Sequence, residues 1–237
     1  MHNRHIAATT LLSLFLACLL SSPASSLTLG DLVAGGSVST LDGALTFDNF
    51  VVTLDPIYDG SPNVLAGLDL DIFDVEVFDS SFGFRILELD GPMSAFSSNV
   101  GNMVIEFDVA AASGWRILSV GLGFVSSAVG SSAYASVTET IDGDSGNTTT
   151  LNVIREAGGA QTPSDIAALA TQETGLHVTK DIVVDARNGG IIASISEIEQ
   201  SFETAMPETT IPEPGAATLF GVGTLLFGAG LRRGRRA

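Results

Sequence analysis

Apolar and polar residues alternate along most of the chain between residues 44 and 202, and turn-forming clusters separate the alternating stretches. Alternation with a period of two is typical of a β-strand that buries one face. The segments predicted as strands are 44–54, 68–72, 83–89, 103–109, 116–125, 132–141, 149–156, 177–186 and 191–202. Many short strands without a long helical period predict an all-β fold, an antiparallel β-sandwich or jelly roll that forms one domain over residues 27–204.

Three stretches depart from simple alternation. Apolar residues occupy the even positions in 68–72 and the odd positions from Phe73 onward. This change of face predicts a bulge or corner between Ile72 and Phe73. Residues 162–170 combine a capping residue with apolar residues at helical spacing, so they predict a short helix or a loop over one end of the sandwich. Residues 191–202 have some helical character, but alternation with one break favours a strand.

The first 26 residues have the features of a secretory signal peptide, which the Sec translocon and signal peptidase would handle. Arg4 precedes an apolar run of about 15 residues, and Ala24 and Ser26 have the small-residue spacing of a cleavage site. The run is short for a membrane span, which favours cleavage over anchoring. The only cysteine, Cys18, lies in this run. Its context loosely resembles a lipobox, and an ordinary apolar signal residue is the alternative.

The C-terminal segment differs in composition from the body. Residues 205–215 form a proline-rich linker that includes Pro212, Glu213 and Pro214. Residues 216–231 carry no charge, and as a helix of about 24 Å they would approach the length needed to cross a membrane. A basic cluster closes the chain, namely Arg232, Arg233, Arg235 and Arg236. By the positive-inside rule these arginines stay cytoplasmic, which places the body outside the inner membrane.

This ordered set of features resembles the PEP-CTERM sorting signal of exported proteins of Gram-negative bacteria. The resemblance covers residues 211–237 and rests on the Pro-Glu-Pro triplet, the Gly/Ala/Leu-rich span and the terminal arginines. It implies recognition by an exosortase, a membrane-embedded cysteine peptidase-transpeptidase, and processing near residues 212–214. It also implies a transient tether in the inner membrane, followed by transit to the cell surface or an exopolysaccharide matrix. A plain tail anchor is the alternative interpretation.

The body resembles, less specifically, a group of uncharacterised exported proteins that pair a Phe-rich β-sandwich with this tail. Residues 137–140, 178–182 and 196–203 carry that resemblance. It implies a fold and an export route, and it implies no biochemical activity.

The charge of the chain excludes one class of partner. The chain has 27 acidic and 10 basic residues, a net charge of −17, and all acids except Glu213 lie between Leu27 and Ile211. A body this acidic repels a phosphate backbone, so no nucleic-acid partner is predicted. Divalent cations and cationic polymers remain compatible with the charge.

Residues 142–147 resemble a calcium-binding loop. They lack the EF-hand pattern, because Gly146 stands at the fifth position and Val153 at the twelfth, where oxygen ligands are needed. The favoured interpretation is a polar hairpin turn. Asp142 and Asp144 are the candidate calcium ligands, and no other cofactor is predicted.

Catalytic constellations are weak in this sequence. His177 is the only histidine after the signal, and Asp181 or Asp185 could orient it in a catalytic triad. The chain has no G-x-S-x-G elbow to supply the nucleophile, and the structural interpretation of His177 is an ordinary strand residue.

Other polar and aromatic candidates also have structural interpretations. The pairs Asp69/Asp71 and Asp74/Glu76 could serve a glycosidase, but alternating charge is typical of solvated strand faces. Trp115 is the candidate sugar-stacking residue, and core or rim packing is the favoured interpretation for it.

The sequence therefore predicts a non-catalytic, exported β-sandwich that acts as a structural or adhesive component of the cell surface or the exopolysaccharide matrix. A polysaccharide- or calcium-binding module is the alternative, and a surface hydrolase is a third hypothesis.

Overall fold

The structure, a computed structural model, describes residues 27–79, 83–88 and 93–206. About two thirds of these residues lie in strands, because alternating β-branched and aromatic side chains fit the pleated surface of a sheet. The strands are β1 Val38–Ser39, β2 Leu45–Thr53, β3 Ile57–Tyr58, β4 Ser61–Pro62, β5 Phe73–Val77, β6 Phe84–Glu88, β7 Met93–Phe96, β8 Val100–Ala111, β9 Arg116–Gly130, β10 Tyr134–Gly143, β11 Thr148–Glu156, β12 Gln161–Thr162, β13 Ser164–Glu173, β14 Gly175–Asp185 and β15 Gly190–Ala205.

Two large antiparallel sheets make up most of the body, and β3 and β4 form a separate two-stranded sheet. The seven-stranded sheet has the order β1-β2-β8-β14-β10-β11-β12. The six-stranded sheet has the order β13-β9-β15-β6-β5, and β7 also pairs with β15. Every pairing between named strands is antiparallel in the described residues, which confirms the predicted class of fold, an all-β antiparallel sandwich.

Phenylalanine rings from both sheets fill the space between them. Phe47 on β2 lies 5.0 Å from Phe84 on β6 and 5.6 Å from Phe202 on β15, measured between ring centroids. Phe107 on β8 lies 5.2 Å from Phe84. All four rings are at most 2% exposed. The inward faces of the longer strands thus supply apolar side chains to one shared core, as the alternation predicts.

The prediction of a strand over residues 191–202 is confirmed, and the strand is longer than predicted. β15 runs for 16 residues and pairs with β9 along its whole length. Its break in alternation is a bulge at Ser196, which leaves Ile195 and Ile198 both facing the core. One extra residue opposite a regular strand restores the apolar phase on the same face.

The prediction of a strand over residues 68–72 is wrong. Leu70–Ile72 forms a single 3-10 turn, and β5 begins at Phe73. The Asp69 carboxylate accepts a hydrogen bond of 3.0 Å from the backbone N–H of Asp71, which closes the turn locally. Short acidic side chains compete with strand pairing in this way. The predicted corner therefore exists between Ile72 and Phe73, as a boundary between a turn and a strand.

The prediction of a short helix or loop over residues 162–170 is also wrong. Ser164–Glu173 is β13, an edge strand that pairs with β9 from Ser164 to Ala168. The backbone N–H of Asn152 donates to Asp165 at 2.9 Å and holds this edge against β11. Pairing with a strand distant in sequence outweighs the weak helical pattern.

A five-residue helix, α1 (Leu29–Val33), precedes the strands. Thr28 and Asp31 form a capping box at its start, and Leu29 and Leu32 are buried in the core.

No helix of the described residues is long and apolar enough to cross a membrane. The predicted signal segment 1–26 lies outside the described residues, as do residues 207–237 with the sorting motif, the predicted membrane span and the arginine cluster.

Candidate functional site

A groove crosses the outer face of the six-stranded sheet. Strand register places Glu76, Arg85, Glu199, Gly123 and Ser164 in one row across β5, β6, β15, β9 and β13. These residues face outward because their neighbours along each strand face the core. The row therefore brings together five residues that are far apart in sequence.

A second row runs beside the first. Ser201 on β15, Gly121 on β9 and Ile166 on β13 are aligned with one another. Ile166 is 72% exposed and forms an apolar wall of the groove. We call the depression formed by the two rows the outer groove.

Two glycines form the floor of the outer groove. A Cβ atom at Gly121 would lie 2.3 Å from Ser201 Oγ, and one at Gly123 would lie 3.1 Å from Glu199 Oε2. Because both positions lack a side chain, the groove encloses about 460 Å³. It adjoins a second depression of about 300 Å³ that shares Gly121, Ile166 and Ser201 with it. Glycine inside a strand often marks the close approach of a ligand.

Charged groups border the outer groove on the β6 side. Arg85 donates a hydrogen bond of 3.0 Å to Glu197 and a second one to Glu76, and its guanidinium lies 5.3 Å from the ring centroid of Phe78. The hydrogen bonds to Glu76 and Glu197 raise the pKa of Arg85. Arg85 is thus held as a fixed cation in an otherwise acidic rim.

Glu199 lies between this cation and the glycine floor. Burial and a hydrogen bond with Glu197 raise the pKa of Glu199, while Arg85 partly opposes that shift. The Glu199 carboxyl accepts hydrogen bonds, and the Ser201 hydroxyl both donates and accepts them, which suits a ligand rich in hydroxyls.

The outer groove combines hydrogen-bonding groups with an apolar wall, which suits the binding of a ligand. Ser164 and Ser201 supply its hydroxyl groups, and the one histidine of the described residues, His177, lies on β14 of the other sheet. Among residues 27–79, 83–88 and 93–206, no group of three or more His, Cys, Asp or Glu side chains could hold a metal ion.

The candidate calcium ligands lie at the turn between β10 and β11, which is the predicted hairpin turn. Asp142 accepts a hydrogen bond of 2.5 Å from Thr148 Oγ1, and Asp144 accepts one of 3.1 Å from Thr174 Oγ1. Glu173 reaches into the same turn and accepts a hydrogen bond of 3.0 Å from the backbone N–H of Ser145. The carboxylates thus hold the turn together, and the structure does not bring Asp142 and Asp144 into a cation site.

His177 pairs with an acid that the sequence did not single out. Its Nδ1 lies 2.7 Å from Asp108 Oδ1, and His177 and Asp108 are directly opposite on β14 and β8. The predicted partners, Asp181 and Asp185, occupy other positions along β14. Asp181 interacts with Asn102, and Asp185 with Arg187. Asn49 Nδ2 also donates to Asp108 at 2.8 Å, so the exposed pair forms part of a polar contact on the surface of the sheet.

Trp115 and the acidic pairs occupy structural positions. Trp115 is half-buried and packs against the core at the start of β9, as the favoured interpretation expects. Asp69 and Asp71 lie in the 3-10 turn, which corrects their assignment to a strand face. Glu76 is exposed on β5 and binds Arg85 at the border of the outer groove.

The sequence contained a signal for the outer groove that pattern reasoning passed over. Gly121 and Gly123 alternate with Leu122 inside a strand of otherwise ordinary alternation. Glycine weakens a strand, so two of them on one face predict a functional depression. The residues that line it could be assembled only with the register of five strands.

Comparisons with known proteins do not identify the chain. No family model matches it, and no curated protein matches it significantly. Among solved structures, TmCBM61 in complex with beta-1,4-galactotriose is similar at 14% identity and a TM-score of 0.33, over 65% of this chain and 89% of that chain. The enzymatically active domain of bacteriophage CBA120 tailspike protein 4 is similar at 13% identity and a TM-score of 0.24, over 68% of this chain and 19% of that chain. Values this low assign the chain to no family and to no activity.

Proposed function

We propose that this protein is an exported, non-catalytic surface or matrix component that contacts exopolysaccharide through the outer groove. The groove is the observation that carries the proposal. It is open, it runs across several strands, and its floor lacks side chains at Gly121 and Gly123. Such a shape accommodates an extended polymer that lies on the sheet.

The groups around the groove favour a neutral or amino-bearing glycan. Ser201, Glu199 and Glu203 supply hydrogen-bond acceptors for sugar hydroxyls, and Ile166 supplies an apolar wall. The carboxylates outnumber the single cation, Arg85, among these lining residues. An acidic glycan would therefore be repelled.

A Gly123→Val variant tests the binding site directly. The added side chain would occupy the floor of the groove, where the atom nearest to its Cβ is Glu199 Oε2 at 3.1 Å, the end of a flexible side chain. Valine also suits a strand better than glycine does. We expect at least a roughly tenfold loss of glycan affinity with no loss of thermal stability. Affinity electrophoresis against the host's own purified exopolysaccharide, a neutral glucan, chitosan and alginate would measure it.

Thr150→Val is the matched control, since it places the same side chain on the exposed face of the seven-stranded sheet. It should bind as wild type does. Equal binding by Gly123→Val and wild type would refute the groove as the contact surface, and so would a preference for alginate.

Delivery to the surface belongs to the same proposal and rests on the sequence of residues 211–237. Replacing Pro212, Glu213 and Pro214 with alanine should leave the chain full length in the inner membrane of its host. The wild type should lose its terminal ~25 residues and leave that membrane. Intact mass and membrane fractionation measure both outcomes. If wild-type chains stay full length in the inner membrane, the tail acts as a membrane anchor and not as a sorting signal.

A further inference from the structure

Three polar side chains lie in the centre of the core, where the alternation of their strands calls for apolar residues. Glu139 and Lys180 are 0% exposed and Gln200 is 1% exposed. Each stands midway between two buried apolar residues of its strand. The flanking pairs are Val137 and Ile141, Val178 and Ile182, and Ile198 and Phe202.

The fold brings the three side chains into contact. Glu139 on β10 and Lys180 on β14 are directly opposite in the seven-stranded sheet, and Gln200 reaches them from β15 of the other sheet. Lys180 Nζ donates to Glu139 Oε2 and to Gln200 Oε1. Gln200 Nε2 donates to the carbonyl of Gly121 at 3.1 Å, which fixes the orientation of the carboxamide. The amine therefore touches the oxygen bonded to the carboxamide carbon Cδ.

The surroundings of this trio are apolar. The strand neighbours directly opposite its members are Ile105, Leu151, Leu122 and Phe84, all at most 2% exposed. The Phe107 ring centroid lies 5.9 Å from Lys180 Nζ. Burial lowers the pKa of Lys180, and the nearby Glu139 partly opposes that shift. A buried lysine of this kind reaches its neutral, nucleophilic form more easily than an exposed one.

An ion pair in this position contributes little to stability. Removing two charges from water costs as much as their attraction returns, so apolar residues of similar volume would serve the core at least as well. Glu139 Oε1 is buried and has no hydrogen-bond partner in the described part of the chain. An unpartnered carboxylate oxygen beside an amine and a carboxamide indicates a chemical role rather than a packing role.

We propose that Lys180 and Gln200 join in an intramolecular isopeptide bond, with Glu139 as the group that moves the protons. The Lys180 ammonium gives a proton to Glu139, and the neutral Nζ attacks Gln200 Cδ while the carbonyl electron pair moves to Oε1. Glu139 then protonates Nε2, the C–Nε2 bond breaks, and the carbonyl re-forms as ammonia leaves. Glu139 takes the remaining extra proton from Nζ and passes it to the ammonia. An ammonium ion and a primary amide thus become a secondary amide and an ammonium ion, without oxidant or cofactor.

The bond would tie the two sheets together covalently. It would connect β14 in one sheet with β15 in the other through the core. Cys18 is the only cysteine and lies at the start of the chain, so the body has no disulfide to do this. The amide would also replace the buried Lys180 ammonium with a neutral group in the apolar interior.

Peptide mapping of the wild-type full chain tests the proposal. Trypsin cleaves after Arg116, Arg155, Lys180 and Arg187, so Glu139, Lys180 and Gln200 fall in three separate peptides. The protein is denatured, digested and mapped by tandem mass spectrometry. We expect no cleavage after Lys180, and a branched product in which peptide 156–187 is joined to the peptide that begins at residue 188, lighter than their sum by one ammonia, about 17 Da.

Three results would overturn the proposal. The first is normal cleavage after Lys180 with separate peptides of sequence mass. The second is a branched product with the Glu139 peptide and a loss of one water, about 18 Da, which would make Glu139 the acyl donor. The third is a loss of ammonia confined to an unbranched peptide that begins at Asn188, because Asn188-Gly189 can form a succinimide.

Variants separate the roles of the three residues. Glu139→Gln keeps the shape but cannot shuttle the protons, so its Lys180 should be cleaved normally and no branched peptide should form. Glu106→Gln, on the outer face of β8, is the matched control and should cross-link as wild type does. Full cross-linking of Glu139→Gln would overturn the role of Glu139. The wild-type map decides the bond itself, whether or not a variant folds.

Discussion

Phe84 shows how one side chain holds the two sheets together. It is 1% exposed, and its ring lies 5.0 Å from Phe47 and 5.2 Å from Phe107, both on the facing sheet. The edge-to-face geometry of these contacts adds to the burial of apolar area. Phe84 therefore contributes both hydrophobic burial and a specific fit between the sheets.

Phe84→Ala should lower the free energy of unfolding by about 3–5 kcal/mol, because it removes these contacts and leaves a cavity. For a chain of this size that is a Tm decrease of roughly 6–20 °C. Phe96→Ala is the matched control, since Phe96 is 57% exposed and should cost little. Thermal unfolding followed by circular dichroism measures both. Similar losses at the two positions would contradict this account of the core.

Glu173 ties the β10–β11 turn to β13 through hydrogen bonds from Ser145 and Thr171. Burial raises the pKa of Glu173, but the hydrogen bonds from Ser145 and Thr171 outweigh burial and the net shift is downward. A carboxyl with a lowered folded-state pKa stabilises the fold above its unfolded value of about 4.3. That contribution is lost as the pH falls through the folded-state pKa.

Glu173→Gln should therefore destabilise the protein by about 1–3 kcal/mol at pH 7. The difference from wild type should shrink as the pH is lowered below about 4.3. Urea unfolding at several pH values measures the difference. Glu199→Gln is a control in which the change in stability should have the opposite sign. The pKa of Glu199 is raised, so its ionised form lowers the stability of the fold. If Glu173→Gln lowers the free energy of unfolding by the same amount at pH 7 and at pH 3, the charge of Glu173 is not the source of the loss.

At the scale of elements, β15 combines regular pairing in its middle with a bulge at Ser196, and two further register shifts against β9 lie near its ends. Ile192–Ile195 pairs with β7, and Glu197–Gln200 pairs with β6. Ser196 is the extra residue between them against β9. The bulge lets two regular halves of one strand face the same core.

Deleting Ser196 should leave a folded protein, because the apolar residues on either side then alternate regularly against β9. We expect a loss of no more than about 2 kcal/mol, or roughly 4–8 °C in Tm. Deleting Glu199 instead should prevent folding, because it moves the inward residues of half the strand to the outer face. Circular dichroism and thermal unfolding of the two deletions make the comparison. Equal damage from both would show that the bulge is required for the fold.

The elements differ in how far the sequence predicts them. β2, β8, β10, β11, β14 and β15 follow from local alternation, since their own side chains specify the buried face. β13 does not, because its residues have weak β-propensity and the strand depends on pairing with β9. The turn at Leu70–Ile72 depends on a side-chain cap that alternation cannot reveal.

The buried polar trio and the outer groove were also predictable from the sequence only in part. The polar residues Glu139, Lys180 and Gln200 are visible in the sequence as interruptions of apolar alternation. Their contact is not visible, because it depends on the register of β10 with β14 and on the stacking of two sheets. The outer groove likewise depends on five strands in register, and composition alone directed attention to Trp115 and to the acidic turn instead.

At the scale of the whole molecule, charge opposes compactness. The chain has a net charge of −17 and a pI of about 4.2. Like charges repel one another over distances of about a Debye length, roughly 10 Å at 0.1 M salt and 30 Å at 0.01 M. The folded body is therefore under self-repulsion that salt relieves.

Raising NaCl from about 10 mM to about 150 mM should increase Tm by a few degrees. MgCl₂ and CaCl₂ at matched ionic strength should act alike, since the described residues contain no group of three or more carboxylate or histidine ligands for a cation. Differential scanning calorimetry in the three salts measures this. A Tm increase with calcium well above that with magnesium would restore the alternative of a calcium-binding module.

The position of β15 has a consequence for how the body responds to force. β15 is the last strand of the described residues, ends at Ala205, and lies between β9 on one side and β6 and β7 on the other. A pull on the chain beyond Ala205 therefore acts lengthwise on an interior strand. Hydrogen bonds perpendicular to the strand are then loaded in shear and must break together, whereas an edge strand would peel away one bond at a time. A protein tethered or dragged by its C-terminus would be held by an interior strand whose hydrogen bonds resist together.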